Sequence, residues 1–386
     1  MSLFLVVGLE KDCDYCAMLK TGFGMGGVFS RTLPDHSEIN SLVPNSAFGI
    51  DEKWMSIALL EAMNGIGWAS PNPSVGCVIV KNEQIIARGF TQNYGGKHAE
   101  RMAFESLQAQ FDLQQISGLH VYVTLEPCSH FGRQPPCVEL LLHPSVKKVF
   151  IGCGDPNPLV SGTGIQRLKD YGKEVVVGVL KNEVEAWHYP FLFSQKFKKP
   201  LWVAKWAENQ DGLLADELGN SKWITNQSSR AYTHWLRQKY DAILVGAGTW
   251  IKDQPHLNVR DCAQPHRRNP VILIHDPKKQ LTALPPSKSI HVFNQEAISD
   301  LISAVEAKDL GFELQSVFCE GGARTLNELF SAGRIDLVHR FIGQKDLGTS
   351  KHRIIEFSEG LSVPLWSHIV SANFGNDLLQ EWVKCS

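Results

Sequence analysis

Two short stretches of the chain carry residues whose types and spacing suit metal chemistry. His98-Ala99-Glu100 stands at the head of KHAERMAFES, residues 97–106, and TLEPCSHFGRQPPC, residues 124–137, supplies Cys128 and Cys137. A neutral imidazole and two thiolates are ligands that zinc favours. A catalytic zinc takes three protein ligands and keeps a fourth position for water. Two thiolates also cancel the charge of the ion, and the metal lowers the pKa of that water until hydroxide is available near neutral pH. Residues two apart do not share a helix face, so His98 and Glu100 converge only over the first turn, which places a site at the helix N-terminus. Glu100 is too close to His98 to be a comfortable co-ligand and is placed to shuttle protons. His-Ala-Glu alone would be an ordinary exposed helix start. LEPC at the end of a strand, with PPC opening the next helix, makes the metal reading. A structural zinc is the alternative, but it normally has four protein ligands, and three are evident.

The order His-x-Glu followed by Pro-Cys is that of zinc-dependent deaminases. In that pattern two residues separate the thiolates, whereas eight lie between Cys128 and Cys137. With PNPSVGCVIV (71–80) and DPNPLVSGTGIQRLKDYG (155–172), the longer loop resembles the N-terminal half of the bifunctional riboflavin biosynthesis deaminase/reductase family. The resemblance continues in KWAENQDG, NSKWIT, AILVGAGTWIKDQPHLNVR and EGGARTLNELF, and so covers about 51–386.

That resemblance implies an α/β protein with an N-terminal three-layer cytidine-deaminase-like domain and a C-terminal dihydrofolate-reductase-like domain. It implies one zinc per chain, held by His98, Cys128 and Cys137, with Glu100 as proton carrier. The implied substrate is 2,5-diamino-6-ribosylamino-4(3H)-pyrimidinone 5′-phosphate, which would lose its exocyclic 2-amino group to zinc hydroxide. Asn72, His130, Arg133 and Asn157 would bind the ring and phosphate. The second half would use NADPH to reduce the ribosyl group to ribityl. Ala207, Trp223, Thr249, Asp253 and the turn Gly322, Ala323, Arg324, Thr325, Leu326, Asn327, Glu328 fall where the family binds the cofactor. Ser221, Arg237, Leu257, Arg260 and Glu320 fall where it binds the substrate, and Asp253 is the candidate for proton movement at the sugar.

Read without the family, the second half says less. A Gly-x-Gly at 246–248 is a weak nucleotide signal, and the glycines at 321–322, between a strand and a helix, suit either a phosphate or a tight turn. Arg133, Arg237 and Arg260 are equally readable as solvated or salt-bridged charges. Three departures bear on the reductase. AENQDGLLAD lacks the usual Ser before Asp211-Gly212 and the basic residue after it, Arg324 stands where a small residue is expected, and the segment after Asp336 lacks a proline.

These residues need elements to position them. The 386 residues exceed one ordinary core and imply two domains. We expect a poorly ordered extension over 1–49, a deaminase domain over 50–196 and a reductase domain over 197–386. Asp51 is placed to cap a helix over 52–67. GCVIV and QIIARGF read as a hairpin, 119–126 as a buried strand, and alternating helices and strands follow. In the second half strands fit 201–207, 242–246, 271–275, 289–293 and 314–319, helices fit 226–239, 297–307 and 323–332, and 366–384 reads as two strands.

Composition excludes other classes. Lys plus Arg (38) balances Asp plus Glu (40), so no broad nucleic-acid surface is indicated. No apolar run reaches the roughly 18 residues that cross a bilayer, and the start has no basic region of a signal peptide. Nine scattered Cys fit a reducing cytoplasm, where Cys13-x-x-Cys16 is read as chance. The expected partner is a small phosphorylated pyrimidine rather than nucleic acid or membrane, in a homo-oligomer. Two rival readings are a deaminase with a non-catalytic reductase-like half, and an RNA-binding protein on a deaminase scaffold. The intact Glu100 and balanced charge speak against the latter.

Overall fold

The computed structural model describes residues 49–132, 134–157, 160–260, 269–281, 289–307, 313–349, 353–354 and 366–385. They divide into two compact units, 49–198 and 199–385. Apart from Gly49, the segment expected as an extension lies outside the described residues, as does Cys13-x-x-Cys16.

The first unit runs α1 (Ile50–Ala62), β1 (Gly76–Lys81), β2 (Gln84–Phe90), α2 (Ala99–Gln108), β3 (Leu119–Leu125), α3 (Cys137–Leu141), β4 (Val146–Cys153), α4 (Thr163–Asp170), β5 (Glu174–Val177) and α5 (Lys181–Phe197). The expected cap of α1 is corrected. Gly49 is the N-cap, and its N–H is held by Glu52 Oε2 at 2.9 Å. Asp51 sits in the first turn because it accepts a hydrogen bond from the Tyr122 hydroxyl at 2.7 Å. The helix also ends at Ala62 in a short 3₁₀ turn, Met63–Gly65, before the Gly-rich stretch that would have extended it.

The sheet order is β2-β1-β3-β4-β5. β1 is antiparallel to β2 and β3, whereas β4 and β5 run parallel to β3. Two glycines decide where the helices lie. A Cβ on Gly76 would stand 1.8 Å from Ala58 O of α1, and one on Gly89 would stand 2.5 Å from Ala99 O and Ala103 N of α2. Gly89 pairs with Cys77 and shares its face. Neighbours along a strand point to opposite faces, so Gly76 and Gly89 do too. α1 and α2 therefore cover opposite faces, which makes three layers. α5 lies on the α1 face, where His188 meets Thr124 Oγ1 at 3.1 Å and Thr124 stands beside Gly76.

The second unit runs β6 (Leu201–Asn209), α6 (Gln227–Lys239), β7 (Ala242–Gly246), α7 (Ala247–Asp253), β8 (Val271–His275), β9 (Ile290–Phe293), α8 (Ile298–Glu306), β10 (Ser316–Cys319), α9 (Ala323–Ser331), β11 (Leu337–Gly343), β12 (Trp366–Phe374) and β13 (Asp377–Lys384). One eight-stranded sheet has the order β12-β13-β11-β6-β10-β7-β8-β9. Trp202, Leu244, Leu273, Val317 and Val338 are fully buried in its core. The strand β11 was not expected. LVHRFIG reads poorly as a central strand because it carries His339 and Arg340, yet both are paired. His339 accepts or donates with Tyr240 Oη at 2.8 Å and lies 2.8 Å from Glu381, while Arg340 pairs with Glu208. Among the described residues no helix is long and apolar enough to cross a membrane.

Because backbone of α2 and the Met102 Cβ face Gly89, none of which can swing aside, Gly89→Ala must push that helix off the sheet. We expect a loss of about 3 kcal/mol in urea unfolding, together with weaker zinc retention, since α2 carries His98 and Glu100.

Candidate active sites in the two units

Strand direction gathers the first site. β1 begins, and β2, β3 and β4 end, at the same end of the sheet, as the pairs Gly76↔Phe90, Cys77↔Val123 and Leu125↔Cys153 show. The turn with Asn72, the segment leading to His98, the loop with Cys128 and the loop with Asn157 all leave from there. His98 is the N-cap of α2 and Cys137 the first residue of α3. Their ligand atoms and Cys128 Sγ lie within 4.8 Å of one another. His98 Nδ1 is 3.6 Å from Cys128 Sγ and 3.4 Å from Cys137 Sγ. A tetrahedral zinc with ordinary bond lengths needs about 3.6 Å between such N and S ligands. The donor set and its spacing therefore fit zinc.

Electrostatics agree with a site made for a cation. A hydrogen bond from Cys137 is the main cause that holds the Cys128 thiol down to about 4, with His98 adding to it. The Cys137 thiol is pushed up, first by that same bond and then by burial. The pair thus shares one proton, which a divalent cation would displace. Glu100 is buried, and burial followed by the nearby Cys128 raises its pKa. His130 is exposed, Asn72 and Asn157 are half-buried, and Arg133 lies outside the described residues.

One residue here was not singled out from sequence. Glu126 is buried two positions before Cys128, and its carboxylate accepts hydrogen bonds from Asp155, Gly162, Gly164 and Ile165 N–H at 3.0–3.3 Å. An acidic residue at the end of an apolar strand was the available signal.

In the second unit a cavity of about 1090 Å³ is lined by Ala207, Ser221, Trp223, Arg237, Thr249, Asp253, Leu257, Arg260, Glu320, Gly322 and Ala323 among others. These include every substrate residue expected in the second half and the first two of the 322–328 turn. Most side chains in the rest of that turn have other contacts. Thr325 packs on Gly246, Leu326 is fully buried, Asn327 donates to Arg353 O at 3.2 Å, and Arg324 pairs with Glu328 at 2.8 Å. A Cβ on Gly246 would stand 2.5 Å from Thr325 Oγ1, and one on Gly322 would stand 3.2 Å from Thr249 Oγ1. Two glycine turns at the starts of α7 and α9 are thus interlocked, and the second of them lines the cavity with side-chain-free backbone at a helix N-terminus, the kind of place that suits a phosphate.

The cavity holds a buried charge cluster. Arg237 grips Glu320 with two hydrogen bonds, at 2.5 and 3.0 Å. Burial alone would raise the pKa of Glu320, but Arg237 outweighs it and holds the carboxyl below its ordinary value. Lys205 Nζ stands 4.0 Å from the same carboxylate, and burial lowers its pKa. Lys205 was also missed, although a lysine interrupting LWVAKWA was a visible signal. The departures are partly resolved. Asn209 Oδ1 accepts from Asp211 and Leu213 N–H at 3.0 and 2.9 Å, holding the Asp211-Gly212 turn that the family's Ser would occupy.

Two chemistries therefore stand on one chain, a hydrolytic one at a metal-binding set and a reductive one at a cavity lined by a glycine turn. Comparisons with known proteins agree with this class. Residues 49–153 match the cytidine and deoxycytidylate deaminase zinc-binding region, and residues 201–379 match the RibD C-terminal domain. The chain is 36% identical over 349 residues to the riboflavin biosynthesis protein RibD of Actinobacillus pleuropneumoniae, covering 83% of this chain and 91% of that one. It is 35% identical to the RibD of Aquifex aeolicus, over 81% and 90% of the two chains. It is similar to the crystal structure of a diaminohydroxyphosphoribosylaminopyrimidine deaminase/5-amino-6-(5-phosphoribosylamino)uracil reductase from Thermotoga maritima, with TM-score 0.75, 33% identity and coverage of 87% and 99%. The chain belongs to the RibD family, bifunctional deaminases and reductases of riboflavin biosynthesis that use zinc and NADPH. Because both halves match, the reading with an inert second half is not favoured.

His234 lines the same cavity, and burial, then Arg237 and Arg260, lowers its pKa to about 4. Its depressed folded-state value means that protons favour the unfolded chain. The neutral ring's contribution to stability is intact above about 6.5 and is lost as pH falls toward about 4. In an imidazole NMR titration, the resonance missing from His234→Gln should stay neutral through pH 5.

Proposed function

We propose that His98, Cys128 and Cys137 hold the zinc and that Glu100 moves the protons of the deamination. The observation that carries this is the convergence of the three ligand atoms within 4.8 Å beside one buried carboxylate. When bound, zinc supplies the Lewis acidity that turns water into a nucleophile near neutral pH. Burial gives Glu100 the raised proton affinity a carboxylate needs to take a proton from water and deliver it to a leaving amine. The water oxygen takes the place of the amino nitrogen, and ammonia leaves. The substrate is the diaminopyrimidinone ribosyl phosphate, a small phosphorylated pyrimidine, with Asn72, His130, Arg133 and Asn157 on its ring and phosphate.

In the second unit a bound NADPH would supply the hydride that reduces the sugar C1′. Gly322, Ala323, Thr249 and Ala207 orient the cofactor, with the remainder of the 322–328 turn contributing backbone. Ser221, Arg237, Leu257, Arg260 and Glu320 orient the deaminated substrate. The exposed guanidinium of Arg260 binds its phosphate, while Arg237 is committed to Glu320. Asp253, at the cavity wall, supplies the proton as the ring opens. The domains are assigned to 50–196 and 197–386, the active form is a homo-oligomer, and the compartment is a reducing cytoplasm. For the last, the support is that Cys77, Cys128, Cys137, Cys153, Cys319 and Cys385 are all unbridged.

A paired assay tests the reading. Glu100→Gln should keep about one zinc per chain and lose ammonia release by about 10²–10⁴-fold, while still oxidising NADPH when given the deaminated intermediate. Wild-type, zinc-loaded protein that releases no ammonia from the diaminopyrimidinone would defeat the substrate assignment.

A further inference from the structure

The loop that carries Cys128 is anchored on both sides of that residue by one element. Glu126 receives four backbone N–H groups from the segment 155–165. A Cβ on Gly164 would stand 2.2 Å from Pro127 O, so α4 lies against the loop backbone itself. Ser129 Oγ meets Thr163 Oγ1 at 2.6 Å, and Thr163 in turn donates to Val160 O at 2.6 Å. Residues 126, 127 and 129 are thus all gripped by the start of α4, and residue 128 is left to face the metal. The gripping segment is also the one that carries Asn157, whose N–H is held by Asp155 Oδ1 at 2.8 Å.

We propose that Glu126 is a positioning residue of the deaminase, whose carboxylate ties the metal-ligand loop and the Asn157 segment into one frame. Its carboxylate is turned to backbone N–H groups and is not part of the His98, Cys128, Cys137 cluster. Among the described residues no other side chain accepts from those four N–H groups. Without it they would be buried donors lacking partners, and the start of α4 would move away from the Cys128 loop. Partners that orient metal ligands typically change metal affinity or activity by about 10–100-fold when mutated. The proposal rests on the reading of Cys128 as a zinc ligand.

The test uses the full-length protein with zinc, and with cobalt(II) as a spectroscopic probe. Glu126→Gln keeps the shape but presents N–H₂ where the backbone donors need an acceptor. We expect zinc loss to a competing chelator to quicken by about 10-fold or more, and the cobalt visible bands to shift. We also expect kcat for ammonia release to fall and KM for the pyrimidine substrate to rise together. Reduction of the deaminated intermediate should remain at the wild-type rate. If Glu126→Gln does not fold, Glu126→Asp, which keeps the charge on a shorter arm, should show the same changes in smaller measure. A lowered urea midpoint with wild-type chelator kinetics, cobalt spectrum and KM would mean a merely structural role and overturn the proposal. Cys128→Ser is the companion. If it retains zinc with wild-type affinity, the ligand reading fails and the proposal fails with it.

Discussion

The change of strand direction at β3 is the constraint on which the first site depends. β3 pairs antiparallel with β1 and parallel with β4. Three strand ends and one strand start therefore meet at one end of the sheet. Four loops that are distant in sequence leave from there, and none needs to be long to reach its neighbours. The helices that deliver His98 and Cys137 are held at fixed depth, α2 by the absence of a side chain at Gly89 and α3 by its short span against Cys128, whose sulfur accepts the Cys137 N–H at 3.3 Å. A tetrahedral metal site demands ligand positions to within tenths of an ångström, and a sheet end supplies such rigidity where free loops do not.

Burial then sets the chemistry of both halves, in opposite ways. In the first unit it raises the proton affinity of Glu100. In the second unit the same desolvation would cripple Glu320, and Arg237 is placed to overcome it. Glu320 stays ionised at the cavity wall because its partner is a guanidinium with two matched donors. Lys205 and His234, which lack such a match, are both pushed toward their neutral forms. Lys222, Arg230 and Arg260 add further cations to the lining of the same cavity.

What could be read in advance follows from how local each signal is. The set His98, Cys128 and Cys137 was legible because metal ligands admit few residue types, Glu100 because it stands two residues from His98, and LEPC and PPC mark a strand end and a helix start. Glu126 was not legible in its role, because its partners are backbone N–H groups 29–39 residues away that leave no trace in residue type. β11 was missed for a related reason. Its His339 and Arg340 look wrong for a central strand until Tyr240, Glu381 and Glu208 are brought alongside. The Asp51 cap was misread because Tyr122, 71 residues on, competes for the carboxylate.

The sequence by itself determined the chemistry available to this protein: which residues can ligate zinc, which carboxylate can carry a proton, and where glycines can admit a phosphate. It determined these because each is a property of side-chain type and short spacing. Only the tertiary structure decided that Asn209 holds the turn where a Ser was missing, that the Leu326 side chain packs into the core, and that Arg237 is bound to Glu320. Those outcomes depend on desolvation and on pairing across strands. Both are set by which distant segments share a sheet end, and by which groups that packing removes from water.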